Sequence, residues 1–204
     1  MAFFSFSAKT KEEKFWNWFC KNSKMIFNFE SNQEVVFDKI QEELQKVGPN
    51  LAFEISSVKE AKREFVISAD GIIEAFPAVE KLYKAKPDLP EWTFIKFRPR
   101  RKVENSIRIA NKEIFPKDIK FMFIDDEDKS KIGIVLFCKG YNESEHDLYN
   151  QIAFLFLDEC LGEFDTETYI GRIIIQGFDS EYFASAKEIE SLASEFDKIK
   201  TRGL

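Results

Sequence analysis

The spacing of hydrophobic residues predicts two amphipathic helices at the start of the chain. The first covers about residues 10–23 and turns an aromatic face inward, because its Phe and Trp residues recur near helical spacing. The second begins after the cap residues 31–32 and ends at Gly48, which Pro49 follows. Its inward positions are Val36, Phe37, Ile40, Leu44 and Val47.

Short apolar segments then predict a hairpin, a helix and a strand, and the same order recurs later in the chain. LAFEISS and REFVISADG form the first hairpin, and WTFIKFRP is the strand that closes the unit. The helix between them is expected to begin near Phe76, with Pro77 in its first turn. In the second half, IKFMFID and KIGIVLFCKG are the hairpin, and TYIGRIIIQG is the closing strand after an apolar helix.

This order predicts an α+β fold. We expect mixed, mainly antiparallel sheets with helices on one side, formed by two ββαβ units in tandem after the two N-terminal helices. The units cover about residues 51–98 and 119–177. In each, the first strand is expected to lie between the other two. No linker rich in Gly, Ser or Pro separates the halves, so we expect a single domain over residues 1–204.

Composition and charge narrow the classes of partner and compartment. The formal net charge of −6 argues against broad nucleic-acid binding, because that binding requires Lys and Arg to neutralise phosphates. Three widely spaced cysteines and one histidine predict buried free thiols in a reducing compartment, and neither a zinc site nor a cofactor. Residues 1–16 lack the cationic start of a signal peptide, and no apolar run approaches the roughly 20 residues of a membrane span. We therefore expect a cytoplasmic protein without membrane contact.

Five carboxylates lie between two apolar flanks in FLFLDECLGEFDTETYIGRIII, residues 154–175. Clustered carboxylates hold divalent cations at phosphoryl-transfer sites, which makes Asp158, Glu163 and Asp165 candidate metal ligands. The alternative is a solvated corner, in which a buried helix ends at Gly162 and an exposed connection leads into a strand. We favour the corner, because charge runs usually mark exposed surface.

The corner interpretation makes definite predictions about burial and stability. Gly162 should have a positive φ, and Asp165→Asn should change stability by no more than about 0.5 kcal/mol, whereas Leu157→Ala should cost about 2–5 kcal/mol. The acids predicted to be exposed are Asp158, Glu163, Asp165 and Glu167. The apolar residues predicted to be buried are Phe154, Leu155, Leu157, Leu161, Ile170, Ile173 and Ile175.

The densest basic run, FRPRRK at residues 97–102, follows a strand that contains aromatic residues. Basic residues interleaved with aromatic ones bind RNA or phosphorylated partners through phosphate contacts and stacking. The alternative, which we favour on an acidic chain, is that these cations pair with carboxylates of the chain itself. Any binding surface is nevertheless expected here. Its candidate residues are Trp92, Arg98, Arg100, Arg101 and Lys102.

The sequence contains none of the common catalytic motifs. G-x-S-x-G, the P-loop, G-x-G-x-x-G and H-E-x-x-H are all absent. The one histidine, His146, lies at the predicted start of the apolar helix, and the sequence places no partner beside it that would make it a general base. These absences favour a non-enzymatic role.

Three stretches carry a family resemblance: FWNWF, then the segment from REFVISADG to FIKFRPR, then FLFLDECLGEFDTETYIG. Over about residues 15–172 the chain resembles a family of small, uncharacterised, cytoplasmic bacterial proteins. No reaction is assigned to that family, so the resemblance implies no site residues. It implies a binding or immunity-type role.

Two functions from different classes are compatible with these patterns. The first is a non-enzymatic cytoplasmic module that binds a protein partner through a sheet face or edge, as acidic proteins do when they neutralise basic nuclease toxins. The second is a hydrolase or ligand-binding enzyme that holds a divalent metal at the carboxylates of residues 158–165, with Asp70 as a further ligand. The sequence carries no signature of an oligomeric state.

Overall fold

The structure of the protein is a computed structural model that describes residues 8–110 and 112–202. The prediction about a signal peptide falls in part on residues 1–7, outside the described residues. The chain divides into two compact units, residues 1–97 and 98–204, each with its own hydrophobic core. The single domain over residues 1–204 stays a prediction.

Helices and strands are both well represented, which confirms the α+β class. The α-helices are α1 (Lys11–Phe27), α2 (Gln33–Val47), α3 (Phe76–Lys84), α4 (His146–Leu161), α5 (Glu163–Tyr169) and α6 (Leu192–Lys200). The strands are β1 (Ala52–Ile55), β2 (Arg63–Ser68), β3 (Trp92–Lys96), β4 (Ile107–Ile109), β5 (Lys112–Ile114), β6 (Ile119–Asp125), β7 (Ile132–Cys138), β8 (Ile170–Gln176) and β9 (Lys187–Glu188). None of the described helices is both long and apolar enough to cross a bilayer.

The first unit packs α1, α2 and α3 with a three-stranded sheet in the order β1-β2-β3. β1 is antiparallel to β2, and β3, which follows α3, is parallel to β2. The core is aromatic: the ring of Phe19 lies 5.0 Å from that of Phe65 and 5.1 Å from that of Trp92. Arg63 is buried among these residues and forms an ion pair with Glu30, which compensates the cost of burying its charge.

The second unit contains a four-stranded sheet in the order β8-β7-β6-β9 and a separate β4–β5 hairpin. β7 is antiparallel to β6 and parallel to β8, and α4 and α5 form the crossover between the two parallel strands. Every residue of β7 is buried, as expected for a central strand covered on both faces.

Both sheets contain the predicted order of hairpin, helix and parallel strand, but the predicted central strand is wrong. The second strand of each hairpin, β2 or β7, occupies the centre. The reason is burial: these strands are buried along almost their whole length, so their backbone groups need a hydrogen-bonding neighbour on each edge. β1 is only half-buried and lies at an edge. A duplication relating the two units stays a prediction.

Candidate functional site

The acidic segment and the basic run, distant in sequence, meet in the second unit. Arg98 Nη1 donates to Asp158 Oδ2 at 2.9 Å, across 60 residues of sequence. Asp165 accepts from Arg100 Nη2 at 2.6 Å and from Lys200 Nζ at 2.7 Å. We call this group the corner cluster. Its members are Arg98, Arg100, Asp158, Glu163, Asp165 and Lys200.

Glu163 contradicts the prediction of exposed acids, because its side chain is fully buried. Its Oε2 accepts the backbone N–H of Arg98 at 3.0 Å, and its own N–H donates to the Arg98 carbonyl at 3.0 Å. The expected exposed connection is in fact the short helix α5, which starts at Glu163.

The same prediction was wrong for three other acids, since Asp158, Asp165 and Glu167 are all half-buried. For Asp158 and Asp165, the cations of the corner cluster lower the cost of this burial, and these cations come from outside the acidic segment. Gly162 does have the predicted positive φ, at 77° with ψ 155°. A Cβ at this position would lie 2.9 Å from the Arg98 carbonyl oxygen, so the basic run passes directly over the glycine.

The apolar predictions for this segment were right for some residues and wrong for others. Phe154 and Leu155 are 44% and 42% exposed, because the buried face of α4 lies on the other side of the helix. Ile173 is only half-buried. The residues confirmed as buried are Leu157, Leu161, Ile170 and Ile175.

Glu167 has a perturbed acidity within this corner. Burial, with the nearby charges of Asp158 and Glu163 adding to it, raises the pKa of the Glu167 carboxyl from 4.5 to about 6. Lys131 lies close by and donates through Nζ to the carbonyls of Glu167 and Thr168, at 3.0 and 2.7 Å. These bonds satisfy two carbonyls at the end of α5, where the helix has no internal donors for them.

The five candidate binding residues do not lie on one exposed surface. Trp92 belongs to the first unit, is 5% exposed, and donates its Nε1–H to Ser23 Oγ at 2.8 Å. Arg98 and Arg100 are held in the corner cluster, as the pairing alternative predicted. Arg101 and Lys102 are exposed. A binding role for these residues stays a prediction.

Two of the three candidate metal ligands are held by cations of the protein itself. Among residues 8–110 and 112–202, no group of three or more His, Cys, Asp or Glu side chains is arranged to hold a metal ion. Asp158 and Asp165 instead form ion pairs with Arg98, Arg100 and Lys200. The corner cluster therefore acts as a structural clamp that fixes the chain after residue 97 to the end of α4.

A different concave surface of the second unit lies at the carboxyl ends of the parallel strands β7 and β8. This surface, which we call the acidic pocket, has a volume of about 560 Å³. Its wall is formed by Tyr141 and Glu143 after β7 and by residues 175–177 and 179–182 at the end of β8 and beyond. Loops that follow neighbouring parallel strands converge at one end of a sheet, which is where α/β folds bind ligands.

Local turn chemistry fixes both loops. After β7, the chain turns at Gly140, which has φ 76° and whose carbonyl accepts from the Tyr149 hydroxyl at 2.6 Å. Asn142 then caps the following turn by accepting the Ser144 N–H at 3.0 Å. After β8, the Ser180 hydroxyl donates to Gln176 Oε1 at 2.6 Å. The pocket walls are therefore formed by ordered turns.

The charges of the acidic pocket all have the same sign. Its ionisable carboxylates are Glu143, Asp179 and Glu181, and none of the described residues that line it is Lys or Arg. Two tyrosines complete the wall, and one of them, Tyr182, is 53% exposed. Concave surfaces lined by charges of one sign focus the electrostatic potential and attract the opposite charge.

Tyr141 joins the pocket to the only histidine of the chain. Its hydroxyl donates to Glu143 Oε2 at 2.6 Å, and His146 Nδ1 lies 2.9 Å from the Tyr141 hydroxyl oxygen. The Glu143 carboxylate raises the pKa of Tyr141 to about 12, so the phenol stays neutral and keeps its proton for this bond. The arrangement fixes the Glu143 carboxylate in the pocket wall.

A second cavity of about 490 Å³ in the same unit differs in charge. Its lining combines Asp125 and Asp126 with Lys129 and Lys131. Asp126 is used structurally: Oδ2 accepts the Arg172 N–H at 2.6 Å, and Oδ1 accepts the Asp128 N–H at 2.9 Å. With cations already present, this cavity has no strong preference for a charged ligand.

Sequence reasoning missed the acidic pocket, although a signal was present. The segments YNESEHD and GFDSEY each follow a predicted apolar strand, and each combines tyrosine with carboxylates. Recognising them as one site requires knowing that β7 and β8 are parallel neighbours, which depends on the pairing of the strands.

Comparisons with protein families, with curated proteins and with solved structures give no match for this chain. The resemblance to a family of small bacterial proteins stays a prediction. The geometry and charge of the second unit are therefore the basis for inferring a function.

Proposed function

We propose that this protein is a non-enzymatic binding module that holds a basic segment of a protein partner in the acidic pocket. One observation carries the proposal: three carboxylates and two tyrosines line a cavity at the carboxyl ends of β7 and β8, and no Lys or Arg is among its described lining residues. The corner cluster is the contrast, because there Asp158 and Asp165 are paired with cations of the same chain.

Physical chemistry favours a cationic side chain as the occupant. A Lys or Arg from a partner would gain ion pairs with Glu143, Asp179 and Glu181 and a cation–π contact with a tyrosine ring. Tyrosine is also enriched at the energetic centres of protein interfaces, because its ring buries apolar surface while its hydroxyl makes a hydrogen bond. The formal net charge of −6 would speed the encounter with a basic protein.

A cytoplasmic location in a bacterium and an immunity-like role, in which the partner is a basic toxin enzyme, belong to the same proposal. The cysteines are consistent with a reducing compartment. Cys138 and Cys160 are buried free thiols, and burial raises the pKa of each to about 12, so both stay protonated and unreactive. Cys20, predicted to be buried, is exposed at the flank of the buried face of α1.

The metal-dependent hydrolase has less support. Two of its three candidate ligands, Asp158 and Asp165, are bonded to cations of the chain, and the third, Glu163, accepts the backbone N–H of Arg98. An isothermal titration with Mg²⁺, Mn²⁺ and Ca²⁺ tests this alternative. Heat of binding that disappears in Asp165→Asn would restore it.

Capture from a cell extract of the source organism tests the proposal. The baits are the wild-type protein, a pocket-neutral variant (Glu143→Gln, Asp179→Asn, Glu181→Gln) and a control-neutral variant with the same change of charge in the first unit. The control positions are Asp38→Asn, Glu42→Gln and Glu74→Gln, all of them exposed. Thermal melts first establish that the three baits are folded.

We expect wild-type and control-neutral baits to retain the same basic protein at equal yield, and the pocket-neutral bait to lose at least nine-tenths of it. If all three baits retain the same proteins, the acidic pocket is not the binding site. If the two neutralised variants lose the partner equally, only the net charge matters, and the proposal is wrong.

A further inference from the structure

The sheet of the second unit has two unequal edges. One edge is β9, which is only 2 residues long. The other is β8, with 7 residues, which among the described strands pairs with β7 alone. One side of β8 therefore presents backbone N–H and C=O groups that pair with no described strand, and such an edge is a template for another strand. Near the start of β8, the Arg172 N–H already donates to Asp126 Oδ2.

The sequence of β8, IGRIIIQ, has few of the features that natural proteins use to block an exposed edge. It contains neither Pro nor Lys, and its only charged residue is Arg172. Gly171 and Arg172 are exposed, and Ile173 and Ile174 are half-buried. Its four isoleucines favour an extended partner with β-branched residues at the pairing positions.

This edge runs into the acidic pocket. Ile175 and Gln176 are the last residues of β8, and both also belong to the pocket wall. Paired strands lie about 4.8 Å apart, and each residue advances about 3.3 Å along a strand. A strand added beside β8 would therefore bring a side chain at one of its ends next to Glu143, Asp179 and Glu181.

We infer that the partner segment binds as an added β-strand along the free edge of β8, with a Lys or Arg near one end of that strand seated in the acidic pocket. This inference rests on the proposed function and specifies how the partner is held. The backbone hydrogen bonds of the added strand would supply affinity, and the pocket would select for positive charge.

A second copy of this chain is the rival occupant of the edge, because two β8 strands could pair with each other. Charge argues against it: each copy carries a formal net charge of −6, so two copies repel, whereas a basic segment is attracted. The pocket beside the edge also carries three carboxylates and no Lys or Arg among its described lining residues. The observations therefore favour a basic partner.

The test uses peptides selected on the wild-type protein from a random nine-residue display library and then resynthesised. Dissociation constants are measured for the wild-type protein and for the pocket-neutral and control-neutral variants. Each peptide is also made in two N-methylated series, with the methyl groups on odd-numbered or on even-numbered residues. In an added strand only alternate N–H groups face β8, so the two series should behave differently.

We expect selected peptides to carry Lys or Arg and to lose at least tenfold in affinity for the pocket-neutral variant alone. The affinity of one methylated series should fall at least tenfold, because each lost hydrogen bond in a desolvated edge weakens binding by up to roughly tenfold. The affinity of the other series should change less than about twofold, because its methyl groups face away from β8. Pocket-dependent peptides that show no difference between the series would overturn the added strand and leave the proposed function intact.

Two further outcomes are decisive. If no selected peptide depends on the pocket carboxylates, the proposed function fails, and the inference fails with it. Light scattering of the wild-type protein decides on the rival occupant: a dimer that Ile174→Lys converts to a monomer would show that β8 pairs with a second copy. A monomer is the expected result.

Discussion

The backbone amide of Arg98 donates to Oε2 of Glu163 at 3.0 Å, and the amide of Glu163 donates back to the carbonyl of Arg98 at 3.0 Å. This reciprocal pair joins the first residues of the second unit to the start of α5. The Glu163 side chain is fully buried, so its carboxylate has lost its hydrogen bonds to water. The Arg98 N–H takes the place of one of them. The most buried acid of the corner is therefore a structural element.

Replacing Glu163 should lower the free energy of unfolding, and the loss should be larger when no acceptor remains for the Arg98 N–H. Glu163→Ala removes the acceptor for the Arg98 N–H, and we expect a loss of about 2–3 kcal/mol in the free energy of unfolding, measured in urea. Glu163→Gln keeps an acceptor oxygen, so it should cost less than Glu163→Ala. A loss of no more than about 0.5 kcal/mol for Glu163→Ala would mean that the clamp contributes nothing.

Two aspartates that share one arginine allow the effect of burial to be isolated. Asp165 and Asp197 both accept from Arg100, but their side chains are 15% and 55% exposed. Asp165 also pairs with Lys200. We expect Asp165→Asn to cost about 1–2 kcal/mol and Asp197→Asn no more than about 0.5 kcal/mol, because exposed ion pairs are weak. If denaturant melts show equal losses of stability for Asp165→Asn and Asp197→Asn, the structural clamp is wrong and the solvated corner predicted from sequence is right.

Gly162 should tolerate a side chain much less well than a second glycine with the same sign of φ. At Gly162 a new Cβ would lie 2.9 Å from the Arg98 carbonyl oxygen and 3.0 Å from the Arg100 amide nitrogen, both of them backbone atoms. At Gly140 the nearest atom is the Tyr149 hydroxyl oxygen at 3.5 Å. Both substitutions carry the strain of positive φ, roughly 1–2 kcal/mol.

We therefore expect Gly162→Ala to cost at least about 1 kcal/mol more than Gly140→Ala in chemical denaturation, since only the former must displace backbone. Gly140 is the matched control in φ, because the two sites have φ values of 77° and 76°. If Gly140→Ala is the costlier change, the basic run does not rest on Gly162.

Much of the fold follows from local patterns, and the corner shows why the rest does not. The apolar stripe of α2 and the Pro77 rule for α3 depend on residues within one element, and both elements form where predicted. The burial of Glu163 depends on Arg98, which is 65 residues away in sequence. A run of charged residues indicates exposure unless residues distant in sequence supply the opposite charges, as Arg98 and Arg100 do here.

Sequence periodicity gave a wrong prediction in two places. EFDTET alternates in polarity, which predicts an extended connection, but these residues form α5. Acids at the helix N-terminus and the Lys131 contacts at its end stabilise this short helix. The end of α4 is apolar on most sides, so the sequence could not reveal that Phe154 and Leu155 lie on its outer face. The acidic pocket required the parallel pairing of β7 with β8, a contact that no single segment specifies.

Glu167 should make stability depend on pH in a direction unusual for an acid. Its folded pKa of about 6 lies above its ordinary value of 4.5, so the folded protein binds this proton more tightly than the unfolded chain. The resulting stabilisation is fully present below about pH 4.5 and is lost as the pH rises through about 6.

Because Gln resembles the protonated acid, Glu167→Gln should be more stable than the wild-type protein at pH 7.5, by up to about 1 kcal/mol after solvent screening of the half-buried group. The advantage should fall toward zero by about pH 4, since the wild-type carboxyl is then protonated in both states. Urea melts of both proteins at the two pH values check this. A difference that is constant with pH would mean that Glu167 titrates normally.

The most direct test of the central claim is an NMR titration of the ¹⁵N-labelled protein with a hexa-arginine peptide. We expect saturable shifts of backbone amides that cluster at Tyr141–Glu143 and at residues 175–182, and we expect these shifts to be absent in the pocket-neutral variant and retained in the control-neutral variant. Shifts centred on other acidic surfaces, such as Asp38 and Glu42, or shifts that persist in the pocket-neutral variant, would contradict the acidic pocket as the site for a basic partner.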